Sequence, residues 1–236
     1  MIIHPLARII KDIKPMSIYE DLGVVIDILS FTKPASILEL GAGSGGWLLA
    51  MNYALDHKIK FVGYEDFRLD YNFEWPKTAA ELTNYMAEKS SSLGRAIDVD
   101  IRGEDIYRID LEYLKNLNIK FDVVRLDCME EKNKVNEIFY KILPFTSDDC
   151  IFLVDDIAPN LCPNRFLSYM DKVNDGILKP IWFGNKEGAW CKTTYDSAAL
   201  QQHIIDSVQG VVAGESQNIF WNNLEHRLIK TYMLLR

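Results

Sequence analysis

Ile37 to Trp47 reads ILELGAGSGGW, an apolar run that breaks into glycines and then resumes as GWLLAMNYALDH. A glycine turn between a strand and a helix lets backbone N–H groups approach a ligand closely, at a helix N-terminus that favours negative charge. The spacing admits two ligands. Gly41, Gly43 and Gly46 fit a dinucleotide fingerprint, whereas Glu39, Gly41, Gly43 and Gly45 fit the acid-first loop that holds S-adenosylmethionine. Taken alone, the loop leaves both open.

Outward from this loop, short apolar runs alternate with helical patterns. SIYEDLGVVIDILS, from Ser17 to Ser30, spaces its apolar residues as a helix that Pro34 must follow. KFVGYED, AIDVDI, FDVVRLD and CIFLVDD read as buried strands, and LEYLKNL, NKVNEIFYKIL and PNRFLSYMDKV as the helices between them. KPIWFGNKEGAWCKTT reads as an antiparallel hairpin turning at GNKEG. The fold class expected is α/β: a doubly wound, Rossmann-like, mostly parallel seven-stranded sheet with an antiparallel C-terminal hairpin and helices on both faces. One domain is expected over residues 1–236, with an N-terminal helical cover (1–33), a cofactor-binding core (34–195) and a C-terminal helical extension or interface segment (196–236). The long connection from Asp66 to Gly94 has the length of a binding loop, with a helix expected from Pro76 to Lys89.

Composition narrows the function. A net charge of −8 disfavours a nucleic-acid partner, because affinity for phosphates comes from Lys and Arg. No apolar run reaches the roughly eighteen residues of a membrane span, and MIIHPLARIIKDIK does not read as a signal peptide, so a cytoplasmic protein is expected. Cys128, Cys150, Cys162 and Cys191 form no CxxC pair and suit buried, reduced thiols.

Acids end the strands. Glu65 closes the second, where a carboxylate accepts ribose hydroxyls of either cofactor. Asp127 closes the fourth, and Asp155 and Asp156 the fifth. The carboxyl ends of neighbouring strands meet at one crevice, so these three acids are expected to converge and to suit a hard cation such as Mg²⁺. The competing reading pairs them with Arg or Lys, or sets them as helix caps.

The order SIYEDLGVVIDIL, ILELGAGSGGW, GYED, RGEDI, FDVVRLD and FLVDDIAPNLCPNRFLSYM, covering Ser17 to Val173, resembles class I S-adenosylmethionine-dependent methyltransferases. Within them it is most similar to the divalent-metal-dependent O-methyltransferases of the catechol and macrolide-sugar type. The resemblance implies that Glu39, Gly41, Gly43 and Gly45 shape the cofactor loop, that Glu65 holds the ribose, and that Glu104 or Asp105 sits by the adenine. It implies Asp127, Asp155 and Asp156 as metal ligands, with Asp127 catalytic, and a small hydroxylated metabolite or sugar as acceptor. Two positions depart from the pattern: Asp156 stands where such enzymes usually carry Asn, and Glu130 where they carry a catalytic Lys. Glu130 or Lys132 is then the candidate base. Tyr71, Phe73, Trp75, Trp182, Phe183 and Trp190 are candidate stacking surfaces, with core packing the commoner role. Pairing of the apolar tail IKTYMLL would make a homodimer.

Overall fold

Odd and even positions of the central strands part company in the computed structural model, which describes residues 19–68, 76–128, 131–157 and 161–212. In β1 (Ser36–Leu40), Ile37 belongs to one apolar cluster while Leu38 and Leu40 belong to another. β4 (Phe121–Leu126) makes the same split between Val123 on one side and Val124 and Leu126 on the other. Successive side chains of a strand point to opposite faces, so the sheet is buried on both.

The odd-numbered face of β1 and β4 is covered by α1 (Tyr19–Thr32), α2 (Gly46–Ala54), α3 (Ala79–Ser92) and α7 (Ala198–Val212). The other face is covered by α4 (Leu111–Asn116), α5 (Lys132–Ile142) and α6 (Pro163–Asn174). With β2 (Lys60–Tyr64), β3 (Asp98–Arg102), β5 (Thr146–Val154), β6 (Leu178–Phe183) and β7 (Gly188–Lys192), the strands run in the order β3-β2-β1-β4-β5-β7-β6. Pairing is parallel from β3 through β5, and β7 is antiparallel to both β5 and β6. The expected doubly wound sheet and its terminal hairpin are therefore present. Strand order reverses between β1 and β4, which opens a crevice at their carboxyl ends.

Local chemistry explains the boundaries. α1 stops at Thr32, and Lys33 turns to a positive φ of 49° directly before Pro34. α3 starts at Ala79, three residues later than expected, because Thr78 caps it by accepting a hydrogen bond from the Glu81 N–H (3.2 Å). β6 lies at the sheet edge and carries Pro180, a residue an edge strand tolerates because it lacks a ladder N–H. TSDD (146–149) is the first part of β5. Trp182 and Trp190 are buried in the core, Trp190 against Tyr169 and Phe183.

The four cysteines are free, and three are buried. Among the described residues no helix is long and apolar enough to cross a membrane. Ser17, Tyr71, Phe73, Trp75, Glu130 and the tail IKTYMLL lie outside the described residues.

Candidate active site

The turn after β1 is shaped first by the chain itself. Gly41, Gly43 and Gly45 all have positive φ (94°, 53° and 74°). A Cβ on Gly41 would stand 2.4 Å from the Asp127 carbonyl oxygen, and one on Gly45 would stand 2.7 Å from Met86 Sδ. The Gly41 and Ala42 N–H groups both donate to the Tyr64 carbonyl (2.9 and 3.0 Å), docking the turn on the end of β2. Glu65, the next residue, accepts from the Gly43 N–H at 2.6 Å. Burial raises the Glu65 pKa against the lowering effect of that hydrogen bond.

Past the ends of β2 and β3 lies a cavity of about 640 Å³, walled in part by Asp66, Phe67, Arg68, Gly103, Glu104 and Asp105. Arg68 forms a two-toothed bond to Asp66 (2.7 and 2.6 Å) and an ion pair with Asp105 (3.2 Å). Glu104 accepts from Arg102 (2.8 Å). Gly103 lies against the Phe67 ring, which an added Cβ would meet at 3.4 Å. A flat aromatic wall, neighbouring carboxylates and this volume suit an adenosine-sized ligand. The glycine turn and Glu65 are thus brought together at the ends of β1 and β2, and Glu104 and Asp105 line the cavity beyond.

The odd face of the sheet changes character as it reaches the crevice. Following Ile37 comes Glu39, following Val123 come Arg125 and Asp127, and following Leu153 comes Asp155. These charges gather around Arg125, whose side chain is 2% exposed. Its Nη1 donates to Glu39 Oε1 (2.6 Å) and Asp127 Oδ2 (2.9 Å), its Nη2 to Asp155 Oδ2 (2.9 Å) and its Nε to Glu187 Oε1 (2.9 Å). The Trp47 ring packs on the guanidinium at 4.9 Å.

Burial pushes Glu39 and Glu187 up to about 8, even with Arg125 pulling them down. Burial also raises Asp127. For Asp155 the opposing charge of Arg125 and the Asp156 N–H overcome burial, and its pKa is lowered. Beside these two glutamates, three aspartates face three cations. Arg165, in the first turn of α6, points Nη1 at Asp127 Oδ1 (3.6 Å) and Asp156 Oδ2 (3.8 Å) and donates to the Asp155 carbonyl (2.9 Å). Lys186 Nζ lies 2.7 Å from Asp156 Oδ1.

Lys186 is held in place by the first helix. Asp21 of α1 accepts backbone N–H bonds from Asn185 (2.9 Å), Lys186 (2.6 Å) and Glu187 (3.0 Å), gripping the β6–β7 turn. Gly184 lets the acid come this close, since a Cβ there would be 2.4 Å from Asp21 Oδ1. Asp156 itself takes a left-handed backbone (φ 55°), which Asp and Asn tolerate better than most residues.

Oxygen atoms of Asp127, Asp155 and Asp156 lie within 4.8 Å of one another, so the expected convergence of the three acids is present. As a donor set for a hard divalent cation they do not fit, because a protein cation already stands against each carboxylate. Asp127 faces Arg125 and Arg165, Asp155 faces Arg125 and the Asp156 N–H (2.9 Å), and Asp156 faces Lys186 and Arg165. Glu39 turns toward Arg125 and is buried, rather than offering oxygens to the crevice. Lys132, the first residue of α5, pairs with Asp171 of α6 (2.6 Å). Asp21, Arg125, Arg165, Lys186 and Glu187 are the residues that sequence reasoning passed over. Arg125 alone left a signal, as a charge in the middle of an apolar strand.

No family model matches the chain, and no curated protein matches it. Solved structures do share its fold. An SAH-bound methyltransferase of Podospora anserina superposes with a TM-score of 0.56 at 18% identity, over 80% of this chain and 87% of that one. CalS11, a TDP-rhamnose 3′-O-methyltransferase of calicheamicin biosynthesis, gives 0.54 at 16% identity over 80% and 92%. TomG, an O-methyltransferase of Streptomyces achromogenes in complex with SAM, gives 0.51 at 14% over 80% and 89%. The chain has the class I methyltransferase fold.

Proposed function

We infer that this chain is an S-adenosylmethionine-dependent methyltransferase that methylates an oxygen of a small hydroxylated acceptor, a metabolite or a sugar. The observation that carries the reading is the junction at the ends of β1 and β2. Glu65 fixes the glycine turn through Gly43, and the residues that follow it, Asp66 and Phe67, wall a cavity with Glu104 and Asp105. Support also comes from the three superposed enzymes, two of them bound to SAM or SAH. A dinucleotide enzyme would use the same turn for a pyrophosphate, and it has no need of charge-balanced aspartates at later strand ends.

When bound, S-adenosylmethionine supplies an electrophilic methyl group on a sulfonium. Everything else falls to the chain. Glu65 holds the turn and has a second oxygen for a ribose hydroxyl. Glu104 and Asp105 offer acceptors beside the adenine site. Asp127 and Asp156 are the most exposed of the three aspartates (29% and 32% for their side chains), so an acceptor hydroxyl meets them first. Holding that oxygen in line with the reacting carbon is the main catalytic task, because alignment removes much of the entropic barrier. The Mg²⁺ role expected for the aspartates is not part of this reading, since each is already paired with a cation of the protein. Four unpaired thiols suit a reducing compartment such as the cytoplasm.

Calorimetric titration tests the assignment. One equivalent of S-adenosylmethionine should bind, NADH should not, and Glu65→Ala should abolish the heat of binding. Binding of NADH in place of S-adenosylmethionine would overturn the reading, as would binding of neither.

A further inference from the structure

The acids at the crevice have counter-ions that cannot diffuse away. Arg125 and Arg165 are buried, with side chains 2% and 7% exposed, and between them they reach all three aspartates. Lys186 is the outermost cation of the set, 27% exposed, and it lies on Asp156 Oδ1. We propose that Arg125, Arg165 and Lys186 close Asp127, Asp155 and Asp156 to divalent cations, with Lys186 as the seal on the crevice side. Placing the cluster at the acceptor position rests on the methyltransferase reading. The exclusion of metal does not.

Two arguments support the exclusion. A hard cation needs several carboxylate oxygens free at close range, and each of the three aspartates already has a protein cation within 2.9 Å. A divalent ion would also have to enter beside two buried guanidinium groups, where repulsion is poorly screened. Lys186 is not a floating surface residue. Asp21 fixes its backbone N–H at 2.6 Å, and the neighbouring Glu187 is anchored on Arg125, so the ammonium is delivered to Asp156 by a rigid turn. Loss of that one charge leaves three aspartates against two guanidinium groups and frees an outward oxygen of Asp156. The site would then be open to metal from the crevice side. A built-in cation also changes what the acceptor must offer. A metal gathers two oxygens of a vicinal diol, whereas a fixed ammonium can hydrogen-bond to a single one.

Mn²⁺ is the probe, with free ion followed by electron paramagnetic resonance at neutral pH. Wild type and Lys186→Arg should leave the free-ion signal undiminished up to about 1 mM, the weak end of protein affinities for hard divalent cations. Lys186→Met should take up one equivalent at least tenfold more tightly than wild type, with an unchanged thermal midpoint as the check on folding. Uptake of one equivalent by wild type, abolished in Asp156→Asn, would overturn the proposal without reliance on any Lys186 variant. A folded Lys186→Met that binds no better than wild type would overturn the sealing role. S-adenosylmethionine titrated in parallel keeps the two readings apart: failure to bind it sinks the methyltransferase assignment and leaves the Mn²⁺ result standing.

Discussion

Glu39 and Arg125 are partners twice over: they face each other in the parallel register of β1 and β4, and their side chains form a buried 2.6 Å ion pair. The strand pairing that aligns the backbones therefore also places the charge. Arg125 is then shared with Asp127, Asp155 and Glu187, which ties β1, β4, β5 and the β6–β7 turn to one guanidinium.

Removing that guanidinium should be costly. Arg125→Met is expected to lower unfolding free energy in urea by about 3–5 kcal/mol, the usual result of stripping one partner from a buried ion cluster. Adding Glu39→Gln and Glu187→Gln should recover part of the loss, because fewer acids then lack a counter-charge. If the triple variant is as unstable as the single one, the hub is held by packing rather than by charge.

Gly41 and Gly94 separate backbone strain from collision. Both have positive φ (94° and 76°), but a Cβ on Gly41 meets the Asp127 carbonyl at 2.4 Å while one on Gly94 meets nothing within 4 Å. Gly94→Ala should cost about 1–2 kcal/mol, the conformational penalty alone. Gly41→Ala should cost clearly more and also weaken S-adenosylmethionine binding. Equal losses would mean that the turn can shift away from β4.

The grip of Asp21 on the β6–β7 turn is open to hydrogen exchange. Asp21→Ala leaves three backbone N–H groups without their acceptor, each worth about 1 kcal/mol or more when buried. Amides of Asn185, Lys186 and Glu187 should exchange faster while those of β4 and β5 stay protected. Unaltered exchange at all three would show that the hairpin holds its own turn.

Asp27 gives a pH dependence. It lies half-buried on α1, and desolvation raises its carboxyl from 3.8 to about 6. The folded state therefore favours the protonated acid, so this contribution is fully present below pH 3.8 and is lost as pH rises through 6. Asp27→Asn should stabilise the protein above pH 6 by about 1–2 kcal/mol, below the value implied by two pK units because the group keeps some contact with water. Matching stability curves for the two proteins from pH 4 to pH 8 would remove the effect.

Much of the fold was legible because buried parallel strands are apolar runs and their carboxyl ends carry the acids: ILEL, FVGYE and FLVDD each announce a strand and its ligand-facing tip. The convergence of Asp127, Asp155 and Asp156 followed from topology. What escaped was pairing between distant residues. Lys186 sits in a turn where lysine is ordinary, and Arg165 opens a helix where arginine is equally so. Neither position signals that the fold will swing it over an aspartate. Asp21 lies more than 160 residues before the turn it grips, and no periodicity in α1 marks one acid as different from the rest. The sequence offers Glu39 as an acid that shapes the cofactor loop, and gives no sign of its register partner Arg125.

Trp47 gives the site its own optical reporter. Its indole lies against the guanidinium that ties four acids together, 4.9 Å from ring to charge, so any event that displaces Arg125 changes the field felt by the fluorophore. Trp182 and Trp190, sealed in the core, supply steadier background light. A shift of the guanidinium is thereby made visible in emission from a residue that the chain already carries, without labelling.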